Sequence, residues 1–487
     1  MTTNYLGFDL GAESGRAMLG RLSQGTLEIE QLHRFANTPV RVHHAFYWDI
    51  LRLWHEIQQG IRIATSEHGL KLDGIGVDAW GVDFGLLGAD GQLLENPRHY
   101  RDRRNAGSMD RLFERVPREE VFAQTGVQFM GFNTLYQLYA MKLADSSALR
   151  SAHRLLNISD LFNYWLTGEA KSEITIASTT QFFDPLRMQW AAGLLRKAKL
   201  PEQILCELIS PGTTLGTMLD APHAPVYATA GHDTAAAVAA VPAGERGDWC
   251  FVSSGTWSLL GVEVDAPVLG DDCLRLNFSN EAGVGGKIRL LKNIAGLWLL
   301  QECRRTWAAE GADHSYEELT QMASAARPFA AMFHPDALGE SGTMPQRIAR
   351  YCRETGQEPP ATRAEYVRAV LESLALRYRE VLESLEGLTG RNIETIHIVG
   401  GGARNMLLNR FVADCTQRKV IAGPFEATAA GNILIQALGA GEIRDLSQVR
   451  AVVRKSFAPV PMDPGPGREW QRIYERYRSL AVAQIPL

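Results

Sequence analysis

Short apolar runs that end in Gly/Ser turns occur at two distant places in the chain, and each predicts a β-hairpin. Residues 5–20 read YLGFDLGAESGRAMLG, in which a β-rich run, a small-residue turn and a second β-rich run follow one another. Residues 250–261 read CFVSSGTWSLLG and repeat that order, with Gly255 opposite Gly11. Turns of Gly and Ser let backbone N–H groups converge on an anion. Two such hairpins predict a duplicated domain pair that binds a polyphosphate.

Helical and extended periodicities recur in the same order in both halves. Each half contains an amphipathic helix that leads into a short strand, and later a strand, a turn and an Ala-rich helix. These segments are residues 49–66, 74–81 and 225–241 in the first half, and residues 365–386, 396–402 and 419–438 in the second. Strands that alternate with helices indicate mixed α/β sheets covered by helices. We predict an α/β fold of two duplicated domains, although such alternation also occurs in two unrelated α/β domains.

A segment rich in Pro, Gly and charge separates the two halves. Residues 241–247 read VPAGERG, which is typical of a linker. A chain of 487 residues is too long for a single core. We therefore predict an N-terminal domain of residues 1–243 and a C-terminal domain of residues 244–487.

Composition and charge exclude some classes of binding partner and indicate the cellular compartment. Basic and acidic residues number 50 and 55, a net charge of −5 without a basic block, so no nucleic-acid partner is expected. The longest apolar stretch, at 235–243, is too short to cross a bilayer, and the N-terminus lacks a signal-peptide pattern. The six cysteines include no CxxC pair, which favours reduced thiols in the cytoplasm. The sequence does not indicate an oligomeric state.

The first hairpin carries candidate ligands for a cation and for phosphates. Asp9 ends the first strand, and a carboxylate beside a polyphosphate requires a cation between them, so Asp9 is a candidate Mg²⁺ ligand, directly or through water. Ser14, Gly15 and Arg16 would supply a hydroxyl, a backbone N–H and a guanidinium to the phosphates. In an ordinary hairpin, Asp9 would bond the turn and Arg16 would be solvated. The hairpin alone favours neither interpretation.

The segment GHDTAAAV places Asp233 in the first turn of a helix, directly after a strand. The helix start predicts a lowered pKa for this carboxyl and hence a weak base. A weak base suits phosphoryl transfer, in which the attacking hydroxyl keeps its proton until late. The alternative role for Asp233 is that of an N-cap. His232 beside it is either a donor to a sugar oxygen or, as is more common for a single histidine, a buried core residue.

Two further segments combine aromatic rings with charged groups, as sites for polyhydroxylated ligands do. They are DAWGVDFG at 78–85, which contains Trp80 and Asp83, and YRDRR at 100–104. Taken alone, each is better explained by core packing of its rings and solvation of its arginines.

Together these segments resemble the FGGY family of carbohydrate kinases over essentially the whole chain. The resemblance is carried by DLGAESGR, GVDAWGVDF, YRDRR, GVQFMGFNTLYQL, GHDTAAAV, SSGTWSLLG, LKNIAGLWLLQE, IHIVGGGARNMLLN and VIAGPFEATAAGNI. WGVDF, FNTLYQL and SSGTWSL are typical of the branch that acts on L-rhamnulose, whereas the glycine hairpin alone fits any member of the actin/hexokinase superfamily. The resemblance implies two ribonuclease-H-like domains with an interdomain cleft. It also implies ATP-dependent phosphorylation of L-rhamnulose to L-rhamnulose 1-phosphate, in L-rhamnose catabolism.

The same resemblance implies roles for individual residues. The contacts with ATP would be Ala12, Glu13, Ser14, Gly15 and Arg16 in the first hairpin, Thr256 in the second, and Asn293, Gln301 and Gly401. The ketose would contact Gly81 and His232, with Trp80 and Asp83 as further contacts, and Asp233 would be the catalytic base. Glu13 departs from the family pattern, in which a small polar residue is more usual, and we expect its side chain to point outward.

Two other functions remain open from the sequence. One is a kinase of the same family for another ketose, such as L-fuculose or xylulose, which would differ in pocket residues. The other is a non-catalytic actin-like protein that binds ATP and senses sugar. The presence of Asp9, His232 and Asp233 argues against the second function.

Overall fold

The chain divides into two compact units, each built from several segments. The computed structural model describes residues 2–244, 247–338 and 342–480. The first unit consists of Met1–Pro242, Glu263–Leu291 and Glu426–Phe457, and the second of Ala243–Val262, Lys292–Phe425 and Ala458–Leu487. Residues 245 and 246 of the predicted linker lie outside the described residues. The division at 243/244 stays a prediction.

Strands and helices alternate along the described residues. The strands are β1 Thr3–Leu10, β2 Ser14–Ser23, β3 Thr26–Ala36, β4 Val40–Val42, β5 Ala45–Tyr47, β6 Gly74–Ala79, β7 Phe84–Leu87, β8 Arg154–Asn157, β9 Lys171–Glu173, β10 Phe183–Asp184, β11 Gln189–Trp190, β12 Glu207–Ile209, β13 Thr214–Thr217, β14 Pro225–Tyr227, β15 Trp249–Ser254, β16 Trp257–Val264, β17 Ser279–Ala282, β18 Ile288–Ala295, β19 Thr395–Val399, β20 Lys419–Ala422 and β21 Val460–Met462. The helices are α1 Ile50–Arg62, α2 Ser108–Phe113, α3 Arg118–Thr125, α4 Thr134–Leu143, α5 Ser147–Ser151, α6 Ile158–Thr167, α7 Ile174–Ala177, α8 Ala192–Ala198, α9 Asp233–Ala239, α10 Asp271–Leu276, α11 Trp298–Ala309, α12 Tyr316–Ala325, α13 Met344–Glu354, α14 Arg363–Thr389, α15 Met406–Thr416, α16 Ala427–Gly439, α17 Leu446–Ser456 and α18 Arg468–Ser479. Each of the six segments predicted from periodicity contains the predicted element.

The sheet of the first unit has the strand order β13-β14-β6-β1-β2-β3. β1 and β2 form an antiparallel hairpin, whereas β6 runs parallel to β1 and β14 runs parallel to β6. The carboxyl ends of these three parallel strands therefore meet at one edge of the sheet, which is where α/β proteins usually bind ligands. The segments that follow Leu10, Ala79 and Tyr227 lie at this edge.

The sheet of the second unit repeats this arrangement. β15 and β16 form an antiparallel hairpin, β19 runs parallel to β15, and β20 runs parallel to β19. Each unit thus places two parallel strands beside a hairpin, in the same chain order. The repeat confirms the predicted duplication of an α/β fold.

α16 belongs to the first unit although it comes from the last quarter of the chain. Small residues let its backbone approach the sheet closely. A Cβ at Gly7, Gly20 or Gly76 would lie within 3.0 Å of Asn432, Ile433 or Gln436. A Cβ at Gly431 would lie 1.9 Å from the Ala236 carbonyl oxygen in α9. α16 and α9 therefore pack nearly backbone to backbone.

Amphipathic helices cover these sheets. In α1, the buried side chains Ile50, Leu53, Ile57 and Ile61 recur at the three- and four-residue spacing of one helix face, and Asp49 caps the helix by accepting from the Arg52 N–H (3.3 Å). Within the described part of the chain, no helix is both long enough and apolar enough to cross a membrane.

Candidate active site

The turn of the first hairpin is held by backbone hydrogen bonds and by Asn37. The Gly11 N–H donates to the Ser14 carbonyl (3.0 Å), and Asn37 donates to the Gly11 carbonyl through Nδ2 (2.9 Å) and to the Glu13 carbonyl through its N–H (3.0 Å). The predicted phosphate contacts Ala12, Glu13, Ser14, Gly15 and Arg16 lie in this turn and at the start of β2. The Glu13 side chain is exposed, as its expected outward direction requires.

Arg16 places a positive charge beside the turn of this hairpin. Asp9 and Arg16 are directly opposite each other in the β1–β2 register, and the guanidinium forms ion pairs with Asp9 and with Glu426, the residue before α16. Burial would lower the pKa of Arg16, but the two carboxylates raise it above its ordinary value. The end of β1 is therefore a charged cluster in which two acidic groups share one cation.

Asp78 adds a third carboxyl group beside Asp9. The two residues are register partners in the parallel pair β1–β6, and Asp78 is completely buried. Asn432 Nδ2 donates to Asp78 Oδ2 (2.6 Å), whereas Oδ1 has no hydrogen-bond partner among the described residues. Burial, together with the charges of Asp9 and Asp233, raises the pKa of Asp78 well above its usual range.

Asp233 is the first residue of α9, and its two carboxylate oxygens differ in their hydrogen-bond partners. Oδ1 accepts from the Thr234 N–H (2.5 Å) and the Thr234 hydroxyl (3.1 Å), and it lies 3.5 Å from His232 Nε2. Oδ2 has no such partner in the described part of the chain, and the side chain is 30% exposed. Burial and the charge of Asp9 raise the pKa of Asp233 despite its bonds to Thr234. The predicted lowering of this pKa was wrong, because desolvation and the charge of Asp9 outweigh the effects of His232 and Thr234.

The segment before Asp233 is anchored to its neighbours on both sides. The Gly231 carbonyl accepts from the Ala79 N–H at the end of β6 (2.9 Å), and the Gly231 N–H donates to Glu173 (2.8 Å). Glu173 is completely buried, and burial raises its pKa to about 7. The buried ring of His232 has Nδ1 within 3.2 Å of Arg289 Nη2 and 3.4 Å of Glu281 Oε2.

Trp80, Gly81 and Asp83 follow β6 in a constrained loop. Val82 between them adopts a φ of +68°, a left-handed conformation that is unusual for a β-branched residue. Its N–H donates to Thr179 Oγ1 (3.1 Å), and its carbonyl accepts from Thr134 Oγ1 (2.6 Å). A Cβ at Gly81 would lie 3.0 Å from the Thr179 side chain.

Asp83 is completely buried and saturated by protein donors. Its Oδ2 accepts from the indole N–H groups of Trp48 (2.6 Å) and Trp80 (3.0 Å), and its Oδ1 accepts from Gln137 Nε2 (2.9 Å). Burial raises the pKa of Asp83 to about 6 despite these bonds. The two indole rings lie 4.2 Å apart, centroid to centroid. This carboxyl group therefore holds an aromatic pair in place.

In the second unit, the β15–β16 turn is bonded to the start of α11. The Gly255 N–H donates to the Trp257 carbonyl (2.9 Å), and the Trp298 N–H donates to the Thr256 carbonyl (3.1 Å). Gln301 Nε2 donates to Thr256 Oγ1 at 3.5 Å. Two of the predicted nucleotide contacts, Thr256 and Gln301, are therefore neighbours.

Gly401 follows β19 beside the same hairpin. A Cβ at the next residue, Gly402, would lie 2.2 Å from Ser254 Oγ, whereas a Cβ at Gly401 would meet no atom within 4 Å. Gly401 is therefore exposed, next to the point where Gly402 packs against Ser254 of β15. Asn293, the remaining predicted contact, is half-buried on β18.

The predicted site residues thus separate into two groups, one in each unit. Sequence reasoning missed several polar residues of the first group, namely Asn37, Asp78, Glu173, Glu281, Arg289, Glu426 and Asn432. Asp78 gave a signal that was not used, since it is the single charged residue of an apolar strand. Glu281 and Arg289 lie in an ordinary hairpin and gave none.

Comparison with known families agrees with this architecture. The model described as "FGGY family of carbohydrate kinases, N-terminal domain" matches residues 4–239, and the corresponding C-terminal domain matches residues 250–440. The chain therefore belongs to the FGGY family of carbohydrate kinases, a family of ATP-using phosphotransferases.

The chain is similar to curated proteins over nearly its full length. It is 43% identical to the rhamnulokinase of Bacteroides thetaiotaomicron, covering 98% of this chain and 99% of that protein. It is 38% identical to the rhamnulokinase of Bacillus subtilis, covering 93% and 94%. Among solved structures, it resembles a xylulose kinase from Lactobacillus acidophilus (TM-score 0.80, 16% identity, 98% and 97% covered) and an ADP-bound glycerol kinase from Plasmodium falciparum (TM-score 0.78, 16% identity, 100% and 99% covered). These structures confirm the fold class.

Proposed function

We propose that this protein transfers the γ-phosphoryl group of ATP to the terminal primary hydroxyl of L-rhamnulose, giving L-rhamnulose 1-phosphate and ADP in L-rhamnose catabolism. The observation that carries the proposal is the near-full-length similarity to several rhamnulokinases, at 36–43% identity. The chemistry of the site residues described above supports the proposal.

Asp233 is the proposed catalytic base. Since Oδ1 already accepts hydrogen bonds from Thr234, the less encumbered Oδ2 is the oxygen that orients the sugar hydroxyl and takes its proton. The raised pKa of Asp233 makes it a stronger base than an ordinary aspartate.

The ketose would lie against Gly81 and His232, with Trp80 as an aromatic wall. Ala79 and His232 form a parallel β-bridge at the end of the sheet. Trp80 and Gly81, which follow Ala79, therefore lie at the same sheet edge as His232 and Asp233. We propose that Asp83 acts indirectly, because Oδ2 is occupied by the indoles of Trp48 and Trp80 and Oδ1 by the amide of Gln137.

The phosphates would be bound by Arg16 and by the turn of residues 12–15. Arg16 supplies a permanent cation, and the exposed turn supplies backbone N–H groups. In the second unit, Thr256, Asn293, Gln301 and Gly401 are the proposed nucleotide contacts. The open space above Gly401 leaves room for a flat ligand against the backbone.

Phosphoryl transfer from ATP also calls for a hard cation such as Mg²⁺, although no group of three or more His, Cys, Asp or Glu side chains among the described residues is arranged to hold a metal ion. Burial and the charge of Asp9 raise the pKa of both Asp78 and Asp233, so three carboxyl groups lie close together at this edge of the sheet. We propose Asp9 as the Mg²⁺ ligand, directly or through water. When bound, the ion would neutralise charge on the phosphates.

The proposed location is the cytoplasm, where ATP is abundant and thiols stay reduced. All six cysteines are free and buried, as expected of a protein from a reducing compartment.

An assay of ADP release over a panel of ketoses tests the proposed function. L-rhamnulose should give the highest kcat/KM, with L-fuculose and xylulose below it. A higher value for either competitor would assign another substrate. ATP hydrolysis without dependence on sugar would favour a sensor.

A further inference from the structure

The β17–β18 hairpin places a buried ion pair behind His232. Arg289 is completely buried, donates through Nε to the Ala282 carbonyl (3.1 Å), and has Nη2 3.2 Å from Glu281 Oε2. The same Nη2 lies 3.2 Å from His232 Nδ1. Both members of the pair come from the second half of the sequence but lie in the first unit, within its segment Glu263–Leu291.

The chemistry of the guanidinium decides which ring nitrogen of His232 carries the proton. An arginine side chain has only donors, so the nitrogen that bonds to it must accept. Nδ1 also lies 3.4 Å from Glu281 Oε2, but that oxygen has no hydrogen-bond partner among the described residues, so the guanidinium is the partner of Nδ1. Nδ1 is therefore unprotonated, and in the neutral ring the proton is on Nε2. Nε2 is the nitrogen that lies 3.5 Å from Asp233 Oδ1.

We infer that Arg289 is a positioning residue that fixes His232 as the Nε2–H tautomer, so that His232 donates toward Asp233 Oδ1 and leaves Oδ2 for the sugar hydroxyl. The inference rests on the proposed function only for the role of Asp233 as base. Glu281 balances the buried charge of Arg289.

The tautomer is measurable without any sugar, by long-range ¹H–¹⁵N correlation on protein labelled at histidine nitrogen. His232→Asn identifies the signal of His232 among the 12 histidines. The wild type should show a protonated Nε2 and an unprotonated Nδ1. An Nδ1–H signal in the wild type would overturn the inference.

Two variants separate the roles of the pair. In Arg289→Met, Glu281 Oε2 at 3.4 Å is the remaining partner of Nδ1, so the proton should move to Nδ1 and kcat should fall about 10-fold, the loss expected for a hydrogen bond to a charged group. Glu281→Gln leaves the Arg289 guanidinium as the donor to His232 Nδ1. The Nε2–H tautomer should therefore be kept in this variant. An unchanged tautomer or an unchanged kcat in Arg289→Met would overturn the inference.

A matched control uses the ion pair of Arg450 and Glu263 (2.6 Å), also in the first unit. Arg450→Met should leave both the His232 tautomer and kcat unchanged. If Arg289→Met does not fold, the double variant Arg289→Met/Glu281→Met removes both charges and should show the same loss of kcat. A wild type that uses another sugar would contradict the proposed function while leaving the tautomer result intact.

Discussion

At the residue scale, the chemistry depends on groups whose surroundings override their ordinary behaviour. Asp233 begins a helix, which by itself would lower its pKa, yet burial and the neighbouring Asp9 raise it. The sequence identified the residue type and its place after a strand. It did not reveal the desolvation, because that depends on side chains far away in the chain.

Asp233→Asn should keep the fold and sugar binding but lower turnover about 10²–10⁴-fold, the usual contribution of a positioned general base. The amide preserves shape and removes the proton acceptor. Steady-state assays and sugar titration separate kcat from binding, and Asp90→Asn, at an exposed turn, is the control. Near-normal turnover would remove Asp233 from the mechanism.

Asp9→Asn should raise the Mg²⁺ concentration needed for half-maximal activity, because a neutral amide is a poorer partner for a hard cation. The same variant leaves Arg16 with one carboxylate partner, Glu426. Titration of Mg²⁺ at saturating ATP and sugar measures the effect. An unchanged titration would refute the proposed role of Asp9.

Glu173 gives the fold a pH dependence of its own. Burial raises its folded pKa to about 7 from the ordinary value of 4.5, so its contribution to stability is complete below about pH 4.5 and is lost as the pH rises through 7. The loss should be roughly 3 kcal/mol in the free energy of unfolding. Urea unfolding of wild type and Glu173→Gln at pH 5 and pH 8 tests this. The same change in the free energy of unfolding between pH 5 and pH 8 in both proteins would contradict this prediction.

At the element scale, local patterns predicted the strands and helices well, since hairpins, amphipathic helices and glycine turns are encoded nearby in sequence. The packing of α16 on the sheet was not predictable in this way. It depends on Gly7, Gly20 and Gly76 lying opposite Asn432, Ile433 and Gln436, more than 350 residues later. The hydrogen bonds that hold Asp83 were not predictable for the same reason, because one of its indole partners, Trp48, lies 35 residues before it.

Gly431→Ala should destabilise the protein by about 1–3 kcal/mol, as overpacking does, because its Cβ would collide with the Ala236 carbonyl in α9. Gly387→Ala is the matched control, since it lies in α14 with no atom within 4 Å of its Cβ. That control should be neutral or stabilise by about 0.5–1 kcal/mol. Urea midpoints measure both, and similar midpoints for the two variants would contradict the packing argument.

At the scale of the whole molecule, neither unit is a continuous piece of chain. A fragment of residues 1–242 lacks α16, and with it the amide donors that Asn432 and Gln436 give to the carbonyls of Phe8 and Leu6. We expect this fragment to show no cooperative urea transition by circular dichroism, whereas the full chain should show one. A cooperative transition of the isolated fragment would mean that its sheet is stable without this cover.

The late position of α16 also determines when the first unit can finish folding during translation. The first unit is complete only when Phe457 has left the ribosome, roughly 200 residues after Pro242. At ordinary elongation rates that interval is on the order of 10–40 s. During it, α16 is not yet present to cover the strand face around Gly7 and Gly76. A nascent chain halted before residue 426 would keep that face uncovered, and is the species on which chaperones would act.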